Sequence, residues 1–243
     1  FWISLNQEND LFTDVKVRQA LLHAIDRESI IDTVLDGYAT IADAPISPSL
    51  EQYYTDEVTR YEYDPDKAKQ LLAEAGWEDT TGDGILDKDG ESFTFDFEIG
   101  LQGDLEPIAQ MVQQYLKDVG IDAQLEVMEW NAMIEKVVVS RDFEMTLNWW
   151  VYPSDPDVLA YFHSSNAGTG NNIPGYKDEK LDELLELGQK ATSDEERQEV
   201  YVEMQQYMSD TLPYLFLWFP QEIQVRNNNL HGVPDLGLRD AMH

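Results

Sequence analysis

Phe93-Thr94-Phe95-Asp96-Phe97-Glu98-Ile99 and Ile121-Asp122-Ala123-Gln124-Leu125-Glu126-Val127 each alternate apolar with polar residues. Between them Ile108, Met111, Val112, Tyr115, Leu116 and Val119 recur at helical spacing and stop at Gly120. A period of two marks a strand and one of 3.6 a helix, so this stretch predicts two parallel strands joined by a crossover helix. Working forward, a helix over roughly 130–139 leads to a third strand. It carries Phe143, Met145, Leu147, Trp149 and Val151 on one face and Glu144, Thr146 and Asn148 on the other, until Pro153 and Asp155-Pro156-Asp157 end it. The expected fold is α/β, with a mixed, mostly parallel sheet flanked by helices.

Working backward, Asp14 can cap a helix whose apolar residues are Val17, Ala20, Leu21, Ala24 and Ile25, and Ile30, Ile31, Val34 and Leu35 continue to Gly37. Residues 38–63 keep no steady period and contain Pro45 and Pro48, which predicts a long surface excursion with some local order. Asp64 then caps a helix with Pro65 at its first position, a stripe of Ala68, Leu71, Leu72 and Ala75, and Gly76 as its stop. Beyond the third strand, residues 164–176 are rich in Ser, Asn and Gly and suit a mobile or ligand-covering loop. Two helices follow, over about Asp178 to Lys190 and from the capping box Ser193-Asp194-Glu195-Glu196. Leu212 to Phe219, with Pro213 and Pro220 at its ends, reads as a strand at or near a sheet edge.

A chain of 243 residues that is 42% hydrophobic can bury a full core. Its 48 acidic and 16 basic residues leave a formal charge of −32, which repels nucleic acid and anionic membrane surfaces. The carboxylates are spread through every segment, as on a surface adapted to high salt, and a halophilic source is the leading expectation. No cysteine is present, so thiol chemistry and disulfides are excluded. The opening Phe1-Trp2-Ile3-Ser4-Leu5-Asn6 already reads as strand interior and predicts a piece of a longer protein.

His23, His163, His231 and His243 show no metal-ligand spacing, and no Gly-x-Ser-x-Gly elbow occurs. With carboxylates so abundant, a chance pair is no sign of glycoside hydrolysis, and the expectation is a protein without catalysis, cofactor or metal. Asp79 to Gly90 places acids at positions one, five and nine of a calcium-type loop but Thr81 and Gly90 at three and twelve, so a polar turn is expected. In open sheets ligands lie beyond the carboxyl ends of the strands. Trp149, Trp150 and Tyr152 are therefore expected as cleft aromatics, with Asp155 as a polar contact or loop organiser and Asn172 reaching in from the glycine-asparagine loop.

Several segments, in order, resemble one family. Phe12-Thr13-Asp14-Val15-Lys16-Val17-Arg18-Gln19-Ala20, with Ala24-Ile25-Asp26-Arg27-Glu28, is similar to the signature of extracytoplasmic solute-binding proteins of peptide-type ABC transporters. Tyr63 to Trp77, the Asp79 to Glu91 turn, Gly175 to Asp182, Leu212-Pro213-Tyr214 and Asn229-Leu230-His231-Gly232-Val233 extend the likeness. The resemblance implies a periplasmic-binding-protein type II lobe spanning residues 1–243, with the companion lobe absent. It also implies a small solute held between lobes, a membrane ABC permease as partner, a monomer, and a place outside the cytoplasm, tethered to the cell membrane. Trp149 matches the family tryptophan whose aromatic face packs on the ligand. In peptide-binding members an aspartate three residues later pairs with the peptide's amino terminus, and here that position is Tyr152. Aromatic residues at all three positions suit an oligosaccharide as well as a peptide. An acidic secreted hydrolase and a solute-sensing receptor lobe are the alternatives.

Overall fold

The computed structural model of the chain describes residues 1–149 and 155–221. Strand β1 (Trp2–Leu5) is followed by α1 (Val15–Ala24), α2 (Arg27–Val34) and the short β2 (Ala39–Ile41). Next come α3 (Pro65–Glu74), a hairpin of β3 (Asp87–Lys88) and β4 (Glu91–Ser92), and the crossover unit β5 (Thr94–Gly100), α4 (Leu105–Asp118), β6 (Asp122–Met128). Helix α5 (Trp130–Met133) widens into a π-helix over Ile134–Val139 before β7 (Met145–Asn148). Helices α6 (Leu159–Phe162), α7 (Glu179–Lys190) and α8 (Asp194–Thr211) precede β8 (Leu215–Phe216) and β9 (Trp218–Pro220).

The main sheet has the order β6-β5-β7-β1-β8. β5 runs parallel to both β6 and β7, whereas β1 is antiparallel to β7 and to β8. β6, β5, β7 and β8 therefore all point the same way, and only β1 opposes them. The mostly parallel sheet expected from the alternating periods is present. The run ending at Phe219 divides: β8 lies at the edge of this sheet and β9 leaves it to pair with β2.

Both faces of the sheet are covered, which is why β7 is buried at all four positions although every second residue is polar. Ile3, Leu5, Phe95, Phe97, Ile99, Met145 and Leu147 face a core shared with α1, α3 and α4. On the opposite face Trp2, Tyr214 and Phe216 pack against α6, α7 and α8, while Met133, Val137, Phe143 and Ile173 form a smaller cluster under the π-helix.

The local signals act as their chemistry requires. Asp64 caps α3 by accepting from Lys67 N, and Gly76 at φ +91° lets Trp77 N return to Leu72 O at 2.9 Å, a Schellman closure. Ser193 Oγ accepts from Glu196 N, but the Glu196 carboxylate reaches Thr192 N instead of the cap residue, so the capping box closes one residue early. In the acidic turn Asp79 accepts from the amides of Gly82 and Gly84, Asp83 from Ile85, and Asp87 from Thr80. These carboxylates fold the turn itself. Residues 38–63 contain no helix, yet Ala42, Ala44, Ile46 and Tyr61 are buried, so the excursion packs on the body as well as running over it. No helix among the described residues is long and apolar enough to cross a membrane.

Candidate ligand-binding site

Four strands end at one edge of the sheet, and four aromatic rings gather there. Trp130 follows β6, Trp149 follows β7, Trp218 follows β8, and Phe1 precedes the reversed β1. Ring centroids are 5.3 Å apart for Trp130 and Trp149, 5.3 Å for Trp149 and Phe1, and 5.8 Å for Phe1 and Trp218, with interplanar angles of 32°, 23° and 24°. The Trp149–Phe1 and Phe1–Trp218 pairs are stacked and the Trp130–Trp149 pair is tilted, each contributing about 0.5–1.5 kcal/mol beyond area burial. Gly100, at the end of β5, makes the Trp130–Trp149 pair possible: a Cβ there would lie 2.5 Å from Trp130 Cε3.

Stacking determines what Trp149 can offer. Trp130 and Phe1 are both ring neighbours of Trp149, so its indole is part of the row and not an isolated face.

Beneath the row, on the face opposite the α1/α3/α4 core, runs a band of buried polar residues. Ser4 and Thr146 are opposite one another in the ladder, as are Trp2 and Asn148, and Ser4 Oγ donates to Asn148 Oδ1 at 3.3 Å. Glu98 sits beside Thr146 on β5 and is buried. Lys136 Nζ bridges Glu98 at 2.9 Å and Glu126 at 3.1 Å. Burial pushes the Glu98 carboxyl above its ordinary value and Lys136 only partly pulls it back. Burial alone would lower the Lys136 ammonium, but its bonds to Glu98 and Glu126 outweigh that and raise it. Asp96, Glu98 and Glu126 bring carboxylate oxygens within 4.8 Å of one another, and Lys136 supplies the cation such a group requires.

The chain was compared with known proteins. Residues 1–172 match the model of the bacterial extracellular solute-binding proteins, family 5 middle region. The chain belongs to this family. The oligopeptide-binding protein AppA of Bacillus subtilis is 40% identical over 243 residues, which is 98% of this chain and 45% of that protein. The solved structure of that protein in complex with a nonapeptide superposes with a TM-score of 0.86 at 41% identity, covering 90% of this chain and 44% of that one. NikZ from Campylobacter jejuni, solved in complex with Ni(L-His), superposes at 0.82 with 27% identity, again over 90% of this chain and 44% of that one. The chain thus spans less than half the length of these relatives. The type II periplasmic-binding-protein fold expected from the sequence is the one its structural neighbours have.

For a chain of the solute-binding family, the sequence-derived site residues separate into four groups. Trp149 stands in the aromatic row, whereas Trp150 and Tyr152 lie outside the described residues. Asp155 holds Arg197 of α8 in a bidentate pair at 2.6 and 3.1 Å and accepts from Asp157 N at 2.9 Å, which makes it a loop organiser. Burial would raise its carboxyl, but the Arg197 and Asp157 bonds keep it below the usual carboxylate range.

Asn172 corrects an expectation. It is fully buried, and its Nδ2 donates to the carbonyls of Phe162, His163 and Tyr176. Its own carbonyl accepts from Arg141, which also donates to Gly170 O, and the nearby Pro174 O accepts from Gln7 N. Arg141 precedes β7 and Gln7 follows β1, so this loop lies at the sheet edge opposite the row and cannot cover a ligand there. Glycine-asparagine content signals a loop but carries no information on which edge the loop joins.

Trp130, Phe1, Trp218 and Gly100 were missed by sequence reasoning. For Trp130 the signal was available, because it follows β6 as Trp149 follows β7. Phe1 and Trp218 join only because β1 runs backward between β7 and β8.

Proposed function

We propose that this chain is one lobe of a two-lobed, extracytoplasmic solute-binding protein that delivers a peptide-like solute to an ABC permease in the membrane. The observation that carries the reading is the row Trp130, Trp149, Phe1 and Trp218 at the carboxyl edge of the sheet. Rings packed against one another contribute contact area with little loss of side-chain freedom. The fold, family membership and likeness to an oligopeptide-binding relative support the same assignment.

Because Trp149 already has Trp130 and Phe1 as ring neighbours, less of its face is left for a sugar ring, which supports a peptide over an oligosaccharide. A single lobe closes only half of a clamp, and useful affinity belongs to the two-lobed protein. The solute is bound without being transformed, the protein acts as a monomer, and it is held at the outer face of the cell membrane.

Calorimetric titration of the full-length protein with a panel of oligopeptides tests the reading. Binding that weakens about tenfold or more in Trp149→Ala is expected. Peptide affinities that are absent in the wild type, or steady turnover of the peptides, would refute it.

A further inference from the structure

We infer that Asn148, positioned by Ser4 and backed by Thr146, determines specificity at this edge by selecting a ligand side chain that is polar but uncharged. This rests on the ligand-binding reading above and adds the chemistry of the group that enters between the rings.

Asn148 ends β7 one residue before Trp149 and is 8% exposed. Its Oδ1 is occupied by Ser4 Oγ, and its Nδ2 donates to no group among the described residues. Two residues deeper on the same face, Thr146 is completely buried and its Oγ1 has no partner among the described residues. An unpaired buried polar atom costs about 1–3 kcal/mol, so the Thr146 hydroxyl, lying behind the Asn148 amide, marks a band whose polar bonding is incomplete.

The walls are aromatic. Trp2 is the ladder partner of Asn148 on one side. On the other, β5 pairs with β7 at Phe97–Met145 and Glu98–Thr146 and then runs on to Gly100, beside which Trp130 lies. The band is also electrically settled. Glu98, the ionisable neighbour of Thr146, is matched by Lys136, which also holds Glu126. An incoming carboxylate would meet Glu98 and Glu126 with Lys136 already paired to both, and an incoming ammonium would find its counter-charge already paired. A carboxamide or hydroxyl needs neither. It can accept from Asn148 Nδ2, behind which Thr146 lies.

The test uses the full-length protein and oligopeptides of one length that differ at a single position, carrying Ala, Gln, Glu or Lys there, with the position moved along the peptide. At one position Gln should bind about tenfold tighter than Glu or Lys. Asn148→Leu should flatten that preference to within about twofold while affinity for the Ala peptide is kept. Asn148→Asp, nearly isosteric and so a control for folding, should turn the same position toward Lys. A preference unchanged in both variants, or a wild type that favours a charged residue there or shows no positional preference, overturns this inference and leaves peptide binding standing. A wild type that binds none of the peptides brings down the functional reading and this inference with it.

Discussion

Gly100 Cα and the Trp130 ring are in such close register that a single added methyl would lie 2.5 Å from Cε3 and 3.1 Å from the Met133 methyl. The glycine is required here by packing and not by backbone conformation, since its φ is not positive. Gly100→Ala should displace Trp130, lower stability by about 1–3 kcal/mol and weaken peptide binding, because the ring that props Trp149 moves. Denaturant unfolding and calorimetry on the same preparation check both effects. Unchanged affinity would mean that Trp130 only packs.

Lys136 neutralises a carboxylate that the sheet buries. Lys136→Met should cost about 3 kcal/mol at neutral pH, as removing one partner of a buried pair does. The sign with pH follows from Glu98, whose folded value already lies above the ordinary 4.5. A carboxyl raised on folding favours the folded state below its unfolded value, and that contribution is lost as pH rises. The variant should therefore recover stability as pH falls from 7 towards 4.5. Melting temperatures across that range measure it, with Glu98→Gln/Lys136→Met expected to remove the dependence.

Asn172 separates structural from binding roles. Asn172→Ala leaves the carbonyls of Phe162, His163 and Tyr176 without their shared donor and should destabilise by about 2 kcal/mol. Peptide affinity of the folded fraction should stay within about twofold, since the loop lies at the far edge. A larger change in affinity would return Asn172 to the site.

The pair between Asp155 and Arg197 is half open to solvent, and its contribution is small despite the short contact. Arg197→Ala should cost no more than about 1 kcal/mol. Because Asp155 is held low, what it contributes is present at neutral pH and disappears as pH falls through its folded value.

A formal charge of −32 makes salt a structural variable. The screening length falls from about 8 Å at physiological ionic strength to about 3 Å at 1 M. Melting temperature should rise by several degrees between dilute buffer and molar sodium chloride. A flat or falling curve would exclude adaptation to high salt as the reason for the acidic surface.

The periods of 93–128, the caps at Asp14, Asp64 and Ser193, and the stop at Gly76 were legible because they depend on residues a few positions apart, which the backbone brings together unaided. The place of Trp149 at the carboxyl end of its strand was legible for a related reason, since a parallel strand dictates which of its ends faces a ligand. Which residues would join it was not. Phe1 and Trp218 meet across 217 positions, through the reversal of β1 between two strands that no local pattern reports. Asn172 went to the wrong edge on composition alone, and the polar alternation of β7 gave no warning that Thr146 and Asn148 would be buried. Local order follows from short-range sterics and hydrogen bonding, so the amino-acid order alone determined the elements and their class. Strand order, the covering of both sheet faces and the ring contacts of Trp149 with Phe1 and Trp130 arise from long-range packing, and only the tertiary structure decided them.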